Sequence, residues 1–169
     1  MKRLGWLVPV CLAAALGCVR EAPVRVEDRN LGIVVVFPGK PRLHKFSEPT
    51  PFGQMEWFST TYEPPGRFDR SFFVNVGNLP PGDQGGSTEQ EVLDTYRTFL
   101  ARRLGPVETA PLPPDRGAGF RYKAHLPSGG YAEGVAVVRR GRLHQAQATV
   151  SRPEDAQLKA FLDSFAVLP

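Results

Sequence analysis

Cysteine is almost absent from this 169-residue chain: Cys11 and Cys18 are the only two, and both fall within the first eighteen residues. A body without thiols has no disulfide staples and no thiolate cage for a metal. Histidine is nearly as scarce. His44, His125 and His144 are the full set, and no two stand at the i, i+2 or i, i+4 spacing of a ligand pair. A long apolar run is missing too. The greasiest stretch, from Leu4 to Leu16, is broken by Gly5 and Pro9 and gives way to Arg20 and Glu21. That is short of the ~20 apolar residues a membrane-spanning helix needs. Nor is there a strong excess of one charge. The formal +4 drops to +2 once Lys2 and Arg3 are set aside as leader, too slight a balance for a nucleic-acid partner.

Catalytic signatures are lacking in the same way. None of the serines at 47, 59, 71, 87, 128, 151 and 164 lies in a G-x-S-x-G elbow or an S-x-x-K pattern. The stretches GDQGG and PSGG lack the lysine and the strand-to-helix setting of a phosphate loop. Glu56, Glu63, Asp69 and Glu133 show no mutual spacing that would mark paired carboxylates, and none is given a role. These absences lead us to expect a domain that is not an enzyme, has no catalytic residue and takes no metal or cofactor.

What is present starts with the leader. Met1-Lys2-Arg3 is a short positive segment, an apolar stretch follows, and Ala15-Leu16-Gly17-Cys18 closes it, which is the layout of a secretory signal peptide. The closing tetrad resembles the lipobox of bacterial lipoproteins, in which a small residue precedes a cysteine that receives diacylglycerol. The resemblance implies a signal peptide over residues 1–17, lipid attachment at Cys18, and an exported protein held at the cell envelope. Ala15 and Leu16 depart from the family's usual leucine and small residue at those two places. Ala15-x-Gly17 also suits ordinary signal peptidase, but that route leaves a lone exposed thiol, so lipidation is the favoured reading. Val19 supplies no acidic signal for retention at the inner membrane, which admits the outer one.

Residues 18–31 are charged and aperiodic, and are expected to carry the lipid and serve as a tether. Residues 32–169 then suffice for one domain. IVVVF (33–37) is a β-branched run closed by Pro38-Gly39. The segment after it, through Pro51, reads as loop or at most a weak strand, with His44 placed in a loop. FGQMEWFSTTY, with Trp57 as anchor, and SFFVNVGN read as strands. Ser87 and Thr88, three places before Gln90 and Glu91, mark a capping box. Val92, Leu93, Tyr96, Phe99, Leu100 and Leu104 then share one helical face, leaving Arg97 and Arg102 toward solvent. Three more strands follow: GAGFRYKAHL, YAEGVAVV and LHQAQATV. A second capping box, Ser151 with Glu154, opens a helix with the stripe Leu158, Phe161, Leu162 and Phe165. Ser164 on that helix suits capping or core hydrogen bonding.

The order β-β-β-α-β-β-β-α predicts an α+β domain: an antiparallel sheet of about six strands with two main helices packed on it. The opening IVVVFPGKP, the capped middle helix and the closing FLDSFAVLP resemble small exported bacterial domains of PsbP/Mog1-like layout. That resemblance implies a curved sheet between helices, in proteins that mostly bind or scaffold. One surface fits such a role. Arg121, Lys123, Arg139, Arg140 and Arg142 lie on neighbouring strands and their turn, and are expected to form a patch for an anionic partner, namely lipid headgroups, an envelope polymer or an acidic protein face. The alternative is a small-ligand domain with a pocket lined by Trp57, Phe72 or Tyr131. A hydrolase, which needs titratable groups converging in a cleft, is the weakest reading.

Overall fold

A computed structural model describes residues 21–67, 69–80, 88–153 and 155–169, without the side chain of Pro114. The expected signal peptide, Cys18 and Ser87 lie outside the described residues. Among the described residues the architecture is α+β, with two antiparallel sheets and two α-helices. The large sheet has seven strands: β3 (Arg42–Thr50), β4 (Gly53–Tyr62), β5 (Ser71–Asn78), β6 (Val107–Pro111), β7 (Gly119–His125), β8 (Tyr131–Arg139) and β9 (Arg142–Val150). They lie side by side in the order β3-β4-β5-β9-β8-β7-β6. The small sheet joins β1 (Val24–Asp28), β2 (Ile33–Phe37) and β10 (Ala166–Val167) in the order β1-β2-β10.

Two expectations are corrected here. The expected single sheet of about six strands is two sheets: IVVVF lies in the small one as β2, while the stretch after Pro38 and the connection after Pro106 each add an edge strand, β3 and β6, to the large one. His44 is therefore on a strand and not in a loop. The segment read as tether also contains β1, whose Val26 packs on the core while Arg25 and Glu27 face solvent. The folded domain thus begins before residue 32.

Each face of the large sheet is covered by one helix. Helix α1 (Glu89–Leu104) lays Val92, Leu93, Tyr96 and Leu100 on Trp57, Phe120, Tyr122 and Leu143. Thr88 Oγ1 accepts from Glu91 N at 3.2 Å, and Glu91 Oε2 accepts from Thr88 N at 2.7 Å, so the expected box satisfies two orphan helix donors. Gly105 at φ 92° ends the helix. Arg97 is no free surface residue: its guanidinium lies 5.1 Å from the centre of the Phe120 ring.

On the opposite face, helix α2 (Ala156–Ser164) and strand β2 cover Phe72, Val74, Val135, Ala146 and Ala148. Phe161 joins the layers, with its ring 5.2 Å from that of Phe37 and 5.5 Å from that of Phe72. The cap of α2 differs from expectation. Asp155 is the N-cap, accepting from Gln157 N at 2.8 Å and Leu158 N at 3.3 Å, in place of Ser151. Ser164 does the expected joining: its Oγ accepts from Val36 N at 2.8 Å and donates to Phe161 O at 2.7 Å. Strands β8 and β9, buried on both faces, are the centre of the molecule.

Candidate functional site

The turn Arg140-Gly141 joins β8 to β9, with both residues at positive φ, 51° and 69°. Two such residues make the tight hairpin turn whose twist matches that of its strands. This end of the hairpin meets the turn between β1 and β2. Arg142 Nε donates to Asn78 Oδ1 at 3.1 Å, and its Nη1 donates to Asn30 O. Asp28 Oδ1 shapes the β1–β2 turn by accepting from Asn30 N at 2.9 Å and Leu31 N at 3.0 Å. Arg139 Nη1 reaches Val167 O at 3.4 Å, which ties in the strand that ends the small sheet.

Between these segments lies a cavity of about 800 Å³. Arg29, Arg139, Arg140 and Arg142 line it, with Glu27 as the acidic side chain of the lining and His144 on its wall. His144 Nε2 donates to Leu31 O at 3.2 Å, which places the proton on that nitrogen. Burial pulls the His144 pKa below its ordinary value, against its backbone contacts with Leu31 and Val137; nearby Arg142 and Arg139 lower it further. The imidazole is therefore a neutral structural bracket between the sheets, and its Nδ1 finds no well-aligned partner.

The five cations expected in one patch divide into two groups. Arg139, Arg140 and Arg142 converge on the cavity. Arg121 and Lys123 share their face of the sheet but sit elsewhere. Arg121 lies opposite Val135, four residues along β8 from Arg139, or about 13 Å. Each is matched by an acid: Arg121 with Asp163 on α2 at 2.8 Å, and Lys123 with Glu133 at 2.7 Å. Asp163, bonded by Arg121 and Lys159, is held below the usual carboxylate range. The single patch is thus corrected to a three-arginine cluster, and Arg29 is its unforeseen fourth member. Arg29 belongs to the charged segment read as tether, some 110 residues from the hairpin, so only the pairing of β1 with β2 brings it near.

The residues expected to line a ligand pocket are otherwise engaged. Trp57 and Phe72 are fully buried, one in each core, and Tyr131 meets the His125 ring edge-on at 5.0 Å. A second cavity, of about 430 Å³, lies between Pro23, Val36, Phe37, Ala160 and Phe161. His44 stacks on Phe46 at the edge of the sheet, well apart from the other two histidines in the pairing order. Among the described residues, no three of His, Cys, Asp and Glu come together in a group able to hold a metal ion.

No family model matches this chain, and no curated protein matches it. Among solved structures, the chain is similar to the solution structure of cyanobacterial PsbP (CyanoP) from Synechocystis sp. PCC 6803. The two share 13% sequence identity and a TM-score of 0.49, over 92% of this chain and 98% of that one.

Proposed function

We propose that the chain is a cell-envelope lipoprotein, exported by its leader and anchored through Cys18, whose domain acts by binding and not by catalysis. Its binding surface is the arginine-lined cavity, and its partner is anionic. The observation that carries this reading is the convergence of Arg29, Arg139, Arg140 and Arg142 on one cavity with Glu27 as the opposing side chain of the lining. Such a cavity draws anions and excludes cations before any contact forms. The anchor fits the arithmetic of lipidation, in which each buried methylene adds ~0.8 kcal/mol and two or three chains hold where one does not.

Co-purification from crosslinked envelopes tests the reading. The wild type is compared with a variant carrying Arg139→Ser, Arg140→Ser and Arg142→Ser, at a temperature below both thermal midpoints. The partner recovered with the wild type should be lost from the variant, and raised salt should weaken the contact. Identical partner profiles would retire the cavity as the binding surface. The anchor is tested separately by intact mass, which should show an acylated Cys18, and by Cys18→Ser, which should release the protein from membranes.

A further inference from the structure

Among the described residues, Arg140 is the one non-glycine residue at positive φ. It occupies the first central position of a turn that favours asparagine or glycine, and it is a residue that strains there. Backbone strain at a cavity rim points to work done by the side chain. The Arg140 side chain is exposed and makes no ion pair or hydrogen bond within the described residues.

The four arginines divide by what they already hold. Arg142 is committed to Asn78 and Asn30, and Arg139 leans on Val167. These two are walls. Arg29 is different: its side chain is 89% exposed, and its contact is Glu27 at 3.7 Å, a carboxylate already paired with Arg25 at 3.2 Å. Arg140 therefore offers an uncommitted guanidinium fork to the cavity, and Arg29 a loosely held one, each from its own turn.

We infer that this cavity binds a phosphate group, gripped between Arg140 and Arg29. The inference rests on the proposal that the cavity is the binding surface, and it names the ligand chemistry. A guanidinium fork takes two oxygens at once. A planar carboxylate has two oxygens and is satisfied by one fork. A tetrahedral phosphate presents enough oxygens for two forks arriving from different directions. About 800 Å³ leaves room for the body that carries the phosphate. A soluble phosphomonoester and the headgroup of phosphatidic acid, itself a phosphomonoester, share this chemistry.

The test uses the full chain in nonionic micelles, titrated with glycerol 1-phosphate by calorimetry. Micelles doped with phosphatidic acid or with phosphatidylcholine are compared in parallel. Saturable binding of glycerol 1-phosphate is expected; competition by phosphatidic acid but not by phosphatidylcholine would name the lipid headgroup as the source, and competition by neither would name a soluble phosphomonoester. Arg140→Asn should weaken phosphate binding at least ~10-fold and raise the thermal midpoint by ~2–4 °C, because it removes the strain and the fork together. Arg140→Lys, which keeps the charge but not the fork, should also weaken binding about 10-fold. Arg29→Ser should do the same with the midpoint unchanged. Absence of binding by either phosphate probe, or affinity unchanged in both Arg140→Asn and Arg29→Ser, overturns the inference. If the triple serine variant still loses its envelope partner in that case, the cavity remains the binding surface and only the phosphate assignment falls.

Discussion

Tyr122 lies across Gly134, its antiparallel partner on the next strand, so closely that a Cβ on Gly134 would come within 2.3 Å of the ring's Cζ. The missing side chain lets the phenol pass over β8 to β9. There its Oη donates to Gln147 Oε1 at 2.8 Å and accepts from Gln145 Nε2 at 2.7 Å. Burial raises the Tyr122 pKa, so the phenol stays a donor across the accessible range. Gly134→Ala should cost ~1–3 kcal/mol in urea unfolding, as overpacking displaces the ring. Tyr122→Phe should cost a similar ~1–3 kcal/mol by leaving two buried amides short of a partner. A loss below about 0.5 kcal/mol for Gly134→Ala would mean that the ring swings aside freely.

Helix α1 gives a contrast between two arginines. Leu100, fully buried against the sheet, should lose ~2–5 kcal/mol when replaced by alanine. Arg102→Ala, on the exposed side, should stay within about ±0.5 kcal/mol. Arg97→Ala should cost more than Arg102→Ala, because it removes both the contact with Phe120 and the ion pair with Asp94 at 3.1 Å. Equal losses at the two arginines in thermal unfolding would refute that assignment.

Asp155 serves as both cap and ion-pair partner. Its Oδ2 lies 2.8 Å from Arg70 Nη2, with the two side chains only 8% and 20% exposed. Asp155→Ala leaves the half-buried Arg70 guanidinium without its carboxylate, held only by Gln157 Oε1 at 3.0 Å, and uncaps α2; it should cost ~2–4 kcal/mol. Asp155→Asn keeps the capping oxygen, so it should cost less in the same chemical denaturation series. A larger loss for asparagine than for alanine would contradict this division of roles.

The neutral His144 predicts a pH dependence. Its folded pKa lies below the ordinary 6.5, so the unfolded chain binds more protons once pH falls beneath that value. Stability should therefore hold above about pH 7 and decline as pH falls through 6.5 toward the folded pKa. His144→Gln should flatten that decline, at the cost of some stability at neutral pH. Denaturation midpoints from pH 8 to pH 5 provide the comparison. A slope unchanged in the variant would assign the effect to other groups.

Legibility in the sequence followed position in the sheets. The six strands expected, β2, β4, β5, β7, β8 and β9, are those with a neighbour on both sides. The four that escaped, β1, β3, β6 and β10, are the edges of the two sheets. An interior strand must bury at least one face, so IVVVF and YAEGVAVV betray themselves by apolar content. Arg42–Thr50 is exposed along most of its length and carries Pro49, so its composition is that of a loop. VRVED buries only alternate residues and surrounds them with charge, which is also how a tether looks. The arginine cluster was half legible for a related reason. Neighbours along the hairpin could be read directly, while the pairing of Arg121 with Asp163 and the arrival of Arg29 depend on packing between distant segments.

The early start of β1 shortens the leash. If Cys18 carries the lipid, five residues separate it from Val24, where thirteen separate it from residue 32, the expected start of the domain. Five residues span at most ~18 Å. Anchored there, the domain would be held close to the bilayer with its Val24 end inward, and its arginine cavity, at the other end of β1, would stand one strand length farther out. A partner of that cavity would be met at that height.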